Sequence, residues 1–238
     1  MTCSRCHWVS DTLHKRKGQI HVSGFSLLGM TIVMACVFVL LASLFLAREV
    51  AKARTHCYPL KSKGKGIWNA IRVANSEREP LGKSSLWPAD VEDKYASSSE
   101  KYFQYLLSDG KGTAQDVAED RLVEDLSFDS FSAQGITTAA SASDFTKDHM
   151  AWRVAKVNES TPGELPFIVT KNTDGTDFSC SGPDDEGKIN LNDEKPFGNK
   201  RAVWITIGGA SKDARKKYYD NATLFGGYAT NSFEILSM

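Results

Sequence analysis

The sequence predicts an α+β protein: a long N-terminal helix, membrane-spanning over its first half, packed on a small antiparallel β-sheet. Three observations carry this reading. Phe25 to Ala47, FSLLGMTIVMACVFVLLASLFLA, is a run of 23 residues without a charge. At about 1.5 Å per residue it makes a helix of roughly 35 Å, enough to cross a bilayer core. Beyond it, Ile67, Ala70, Ile71 and Ala74 recur at a 3–4 spacing, which lines one helix face with apolar side chains. Strand patterns follow late in the chain, at Ala151–Val157, Pro166–Thr170 and Ala202–Ile207.

The helix is expected to continue past Ala47, because residues 48–54 are nearly all good helix formers. Pro59 and the Lys61-Ser-Lys-Gly-Lys-Gly66 stretch predict a kink or short break near 59–66. Pro80-Leu-Gly82 ends the stalk. Ser97 with Glu100 forms a capping-box pattern for a short helix to about Ser108, with Gly110 just beyond. Residues 111–148 are poor in apolar side chains and read as a surface excursion. Gly208-Gly209 after the strongest strand predicts a hairpin turn, with a return strand through Ala214–Tyr219. The expected sheet has three to five strands, covered by the helix stripe, with Trp204 in it. The organisation is then a leader at 1–24, a transmembrane helix at 25–47, a stalk at 48–80 and an α+β head at 81–238.

The chain has 238 residues, and those beyond the anchor suffice for one well-packed domain. Its formal charge is zero, but unevenly spread. Residues 1–24 hold Arg5, Lys15, Arg16 and Lys17 against Asp11, leaving 25 Lys and Arg against 28 Asp and Glu beyond. That balance gives no support for nucleic-acid binding. An ordinary secretory signal would have a shorter apolar core closed by a small-residue triplet, and this run is longer with no such triplet.

Cys3-Ser-Arg-Cys6-His7 matches the C-x-x-C-H pattern of haem attachment, and His14 or His21 could complete a zinc site. Both lie before the anchor, and a polar leader with incidental cysteines is the better reading. No catalytic set emerges. Gly110-Lys-Gly-Thr113 lacks the earlier glycine of a phosphate-binding loop and reads as a turn. His149, beside Asp144 and Asp148, has no accompanying nucleophile turn and reads as a solvated loop residue. No cofactor is implied. Asp174-Gly-Thr-Asp177 and Asp184-Asp185-Glu186 form an acidic loop between two strands. Its residues Asp174, Asp177, Asp184 and Asp185 are either calcium ligands or a solvated tip. Asn158-Glu-Ser160 and Asn221-Ala-Thr223 fit the glycosylation pattern as chance matches.

The basic leader end, Gly24, Phe25 and the apolar run turning polar at Arg48 together resemble the processing segment of type IV prepilins and type II secretion pseudopilins. The Trp87-Pro88 to Leu107 stretch also looks like one found in pseudopilin-like proteins. The resemblance implies a pilin-like fold, and cleavage by a prepilin peptidase between Gly24 and Phe25 with N-methylation of Phe25. It implies a non-enzymatic structural subunit of a type II secretion or type IV pilus-like assembly, contacting other pilin-like subunits through its N-terminal helix. Its place would be the bacterial inner membrane, N-terminus cytoplasmic, with the C-terminal domain periplasmic or extracellular. Exported cysteines Cys57 and Cys180 could then form a disulfide. Calcium in a late loop is known in the family. One departure stands out: the fifth mature residue, usually Glu, is Gly29, which points to a minor or tip-proximal subunit. The alternative is a single-pass envelope protein whose exported domain binds a ligand or partner.

Overall fold

The computed structural model describes residues 27–180, 187–226 and 231–238. The chain divides into two compact units, Met1–Ala47 and Arg48–Met238. Helical backbone, α1, is assigned over Leu27–Arg78 and crosses the boundary between them. Among the described residues no helix is long and apolar enough to cross a membrane. This overturns the expected fold class, a pilin-like protein whose one long helix spans a membrane with its first half and packs on the sheet with its second. The residues that cover the sheet all belong to the second unit.

Within the second unit α1 runs through Pro59 to Arg78 without the expected break. Proline deletes one backbone donor, a local loss. Set against it is a buried stripe, Cys57, Leu60, Gly64, Ile67, Ile71 and Ala74, whose 3–4 spacing passes Pro59 uninterrupted. The polar composition of residues 61–66 obscured that stripe, because Lys61, Lys63 and Lys65 occupy the positions between its members.

Six strands follow among the described residues: β1 Trp152–Val154, β2 Pro166–Thr170, β3 Asp177–Cys180, β4 Arg201–Thr206, β5 Ser211–Arg215 and β6 Asn231–Glu234. Four form an antiparallel sheet in the order β1-β2-β4-β5, and β3 pairs with β6. Trp152 lies opposite Thr170, Ile168 opposite Ile205, and Val203 opposite Asp213. Strand alternation therefore puts Trp152, Ile168, Ile205, Val203 and Arg201 on one face. That face meets α1, since Gly64 abuts both Ile205 and Trp152. Trp204 has the opposite parity, so it faces away from the stripe and packs beside Tyr219, with ring centroids 5.5 Å apart. The expected return strand begins earlier than the sequence suggested. Thr206 N–H donates to Ala210 and Gly209 takes φ 82, making a longer turn than two residues.

The short helix α2, Ser99–Leu106, is capped by Ser98, whose hydroxyl accepts from the Lys101 N–H at 3.2 Å. The expected Ser97 cap is thus displaced by one residue. Residues 111–148 are not a mere surface excursion. Val123, Leu126, Phe131, Ile136 and Phe145 are buried, and Phe131 packs against both Phe103 and Phe145. Arg121 shapes this segment by donating to the carbonyls of Gln115, Asp116 and Leu126 at 2.8, 2.9 and 2.6 Å. The β3–β6 ribbon stacks Phe178 on Phe233 with centroids 5.6 Å apart, and Leu236 N–H returns to Val154. That C-terminal ribbon was not expected from the sequence.

Candidate functional site

Two features of the described residues are unlike ordinary folded surface. One is α1 in the first unit. Ile32, Val33 and Met34, then Val37 to Leu41 in succession, then Leu44 and Phe45, are all exposed. Successive helical residues point about 100° apart, so five in a row cover every side of the helix. A helix apolar all round needs an apolar covering.

The other is a charged cluster beneath α1 in the second unit. Lys61 and Arg201 both donate to the Asp213 carboxylate, Lys61 to Oδ1 and Arg201 to Oδ2. The register explains the meeting. Arg201 shares strand parity with Val203 and Ile205, so a charged side chain is turned onto the helix-facing side, one position beyond the apolar ones. Asp213, on β5, lies opposite Val203 of β4, and Lys61 descends from α1 four residues after Cys57. Cys57 is buried beside this cluster. Burial pushes its thiol pKa up, Arg201 and Lys61 pull it down, and Asp213 adds to the rise. The thiol therefore stays protonated near neutral pH. Sequence reasoning missed this cluster, although one signal was present: Arg201 breaks the apolar parity of the strongest strand.

The sites expected from the sequence fall as follows. Gly24 and Phe25 lie outside the described residues, as do Asp184 and Asp185, and nothing is described of the Cys180 side chain. Cys57 faces the Arg201 cluster, and the Cys180 backbone pairs with Asn231 in the ribbon. Asp174 accepts from the Gly175 N–H at 3.0 Å, and Thr176 donates to Asp177 at 3.2 Å. These two carboxylates border a hollow that Lys188 also lines, and Lys188 is paired to Asp220 at 3.4 Å. Among the described residues no group of three His, Cys, Asp or Glu could hold a metal ion. His149 Nδ1 lies 3.3 Å from the Thr146 hydroxyl, which leaves it a loop contact within its own turn. The Gly110–Thr113 segment is a turn about the Ser108 hydroxyl, which accepts from the N–H of Gly110 and of Gly112 at 3.0 and 3.1 Å.

No family profile matches this chain, and no curated protein or solved structure is similar to it.

Proposed function

We propose that this chain is a non-catalytic structural subunit of a type II secretion or type IV pilus-like assembly, and a minor or tip-proximal one. The observation that supports it is the first-unit helix, whose large apolar side chains are exposed on every side from Leu27 to Phe45. Helices of neighbouring subunits would cover that surface through van der Waals packing, with Gly29 and Ala35 permitting close approach. The proposal includes maturation by a prepilin peptidase at Gly24–Phe25 and residence at the bacterial inner membrane with the C-terminal unit exported. Gly29 supports the minor role, since it offers no carboxylate to a neighbour's buried terminal amine, a defect that repeated stacking would multiply. Mass spectrometry of the protein isolated from its own envelope tests this: the expected N-terminus is N-methylated Phe25. An intact Met1, or a start elsewhere, overturns it.

A second reading is an envelope protein whose exported unit binds a ligand, and the charged cluster at Lys61, Arg201 and Asp213 is what favours it. The two readings differ in what happens to the N-terminus, since only the first requires a methylated Phe25.

A further inference from the structure

The Lys61–Asp213–Arg201 cluster does not close on itself. It forms the floor of a cleft of about 620 Å³ between α1 and the β4–β5 edge, with Tyr58 and Tyr218 at its mouth. That volume lies in the range of small-molecule sites. Arg215 also lines it, so among the described residues lining the cleft three cations, Lys61, Arg201 and Arg215, stand against one carboxylate, Asp213, a surplus of two positive charges. Arg215 has no ion-pair partner among the described residues. Lys216 and Lys217 follow directly in the chain and extend the positive field outward. A recessed guanidinium balanced by half a carboxylate is costly to desolvate, and an entering anion would relieve that imbalance.

We propose that this cleft binds a small organic phosphate, its phosphoryl group on Lys61, Arg201 and Arg215. Phosphate suits the site better than a carboxylate. Its three oxygens can each meet a different cation, and arginine's fork is matched to such oxygens. The rest of the ligand extends toward the mouth, where the Tyr58 and Tyr218 rings, both well exposed, offer faces for a planar group. The site stands independently of the assembly proposal, because every residue in it belongs to the second unit.

The test is calorimetric titration of the full-length protein at low ionic strength with inorganic phosphate and with phenyl phosphate. Saturable binding of both is expected, with phenyl phosphate the tighter. Arg215→Ala, which leaves the pairs with Asp213 in place, should weaken both about tenfold, the scale of one lost charge-assisted bond. Tyr218→Ala should weaken only phenyl phosphate. Lys111→Ala, at a surface lysine paired with Asp109, should change neither. A thermal melt of Arg215→Ala matching the parent shows that the fold is kept. Absence of saturable binding, equal losses in Arg215→Ala and Lys111→Ala, or tighter binding of a poly-glutamate peptide than of phenyl phosphate would each overturn the proposal.

Discussion

Gly64 lies against Trp152 so closely that a methyl group on it would stand 2.9 Å from two carbons of the indole ring. The same methyl would stand 2.7 Å from Cγ1 of Ile205. The helix therefore approaches the sheet at its one side-chain-free position within the buried stripe. On either side, larger residues fill what opens up: Leu60 before it and Ile67 after it. Four residues on, Trp68 donates its indole N–H to the Ile207 carbonyl at 2.8 Å and lies against Gly209. These contacts fix the helix in its angle and its register.

Gly64→Ala is expected to destabilise the second unit although alanine is the better helix former. The propensity gain is about 1 kcal/mol, while overpacking of this kind costs about 1–3 kcal/mol. Both side chains met by the new methyl, Trp152 and Ile205, are core residues with little room to move. Thermal or denaturant unfolding decides the sign. A melting temperature above the parent's would mean that the helix can lift from the sheet at little cost.

Ile71, fully buried in the same stripe, tests the opposite change. Truncation to alanine removes buried surface and leaves a cavity, a loss of about 2–5 kcal/mol. An Ile71→Ala melt that overlays the parent would show that the helix does not cover the sheet.

Arg121 should not be replaceable by lysine. Its guanidinium spreads three donors over three carbonyls and lies over the Phe128 ring at 4.7 Å. An ammonium cannot reach all three at once. Arg121→Lys is expected to cost about 1.5–3 kcal/mol, the scale of one lost charged hydrogen bond. Amide exchange should quicken across residues 115–126 before it does in the sheet. Unchanged protection there would refute the clamp.

Two tyrosines set the alkaline limit. Burial raises the phenol pKa of Tyr102 well above its ordinary value of 10, and the Tyr105 and Asp90 charges add to it. Burial raises Tyr219 as well, partly opposed by its Thr173 hydrogen bond and by Arg153. A folded pKa above the unfolded one stabilises fully below the unfolded pKa and less as pH rises beyond it. Stability should thus fall from about pH 10 upward. Of the seven tyrosines, Tyr102 and Tyr219 should ionise only as the chain unfolds. A smooth single ionisation of all seven with the fold intact, followed by phenolate absorbance, is the contrary outcome.

Gly24→Val tests processing directly. A peptidase working at the edge of the apolar run must bring the scissile backbone close, and a branched side chain there obstructs it. The variant is expected to keep its unprocessed length on a denaturing gel. Normal maturation would remove the case for a prepilin-type segment.

The sequence by itself determined the local elements whose signal is periodic. The stripe at Ile67, Ile71 and Ala74 is legible because burial on one side of a helix leaves a 3–4 spacing, and the strand at Pro166–Thr170 because burial on both faces leaves an unbroken apolar run. The run from Phe25 to Ala47 was equally legible, but only as composition. Whether such a run spans a membrane depends on its helical length and on what surrounds it, and neither is written in the residues. Tertiary structure decided the rest. Gly64 looked like a helix weakness, and only its 2.9 Å approach to Trp152 shows it as the point of contact. Residues 111–148 looked too polar for the core, because a segment without periodicity can bury Phe131 and Phe145 singly through irregular turns. Lys61, Arg201 and Asp213 are up to 152 residues apart in the chain. Strand parity turns Arg201 and Asp213 onto the helix face, and only the antiparallel register of β4 and β5 under α1 brings all three charges together.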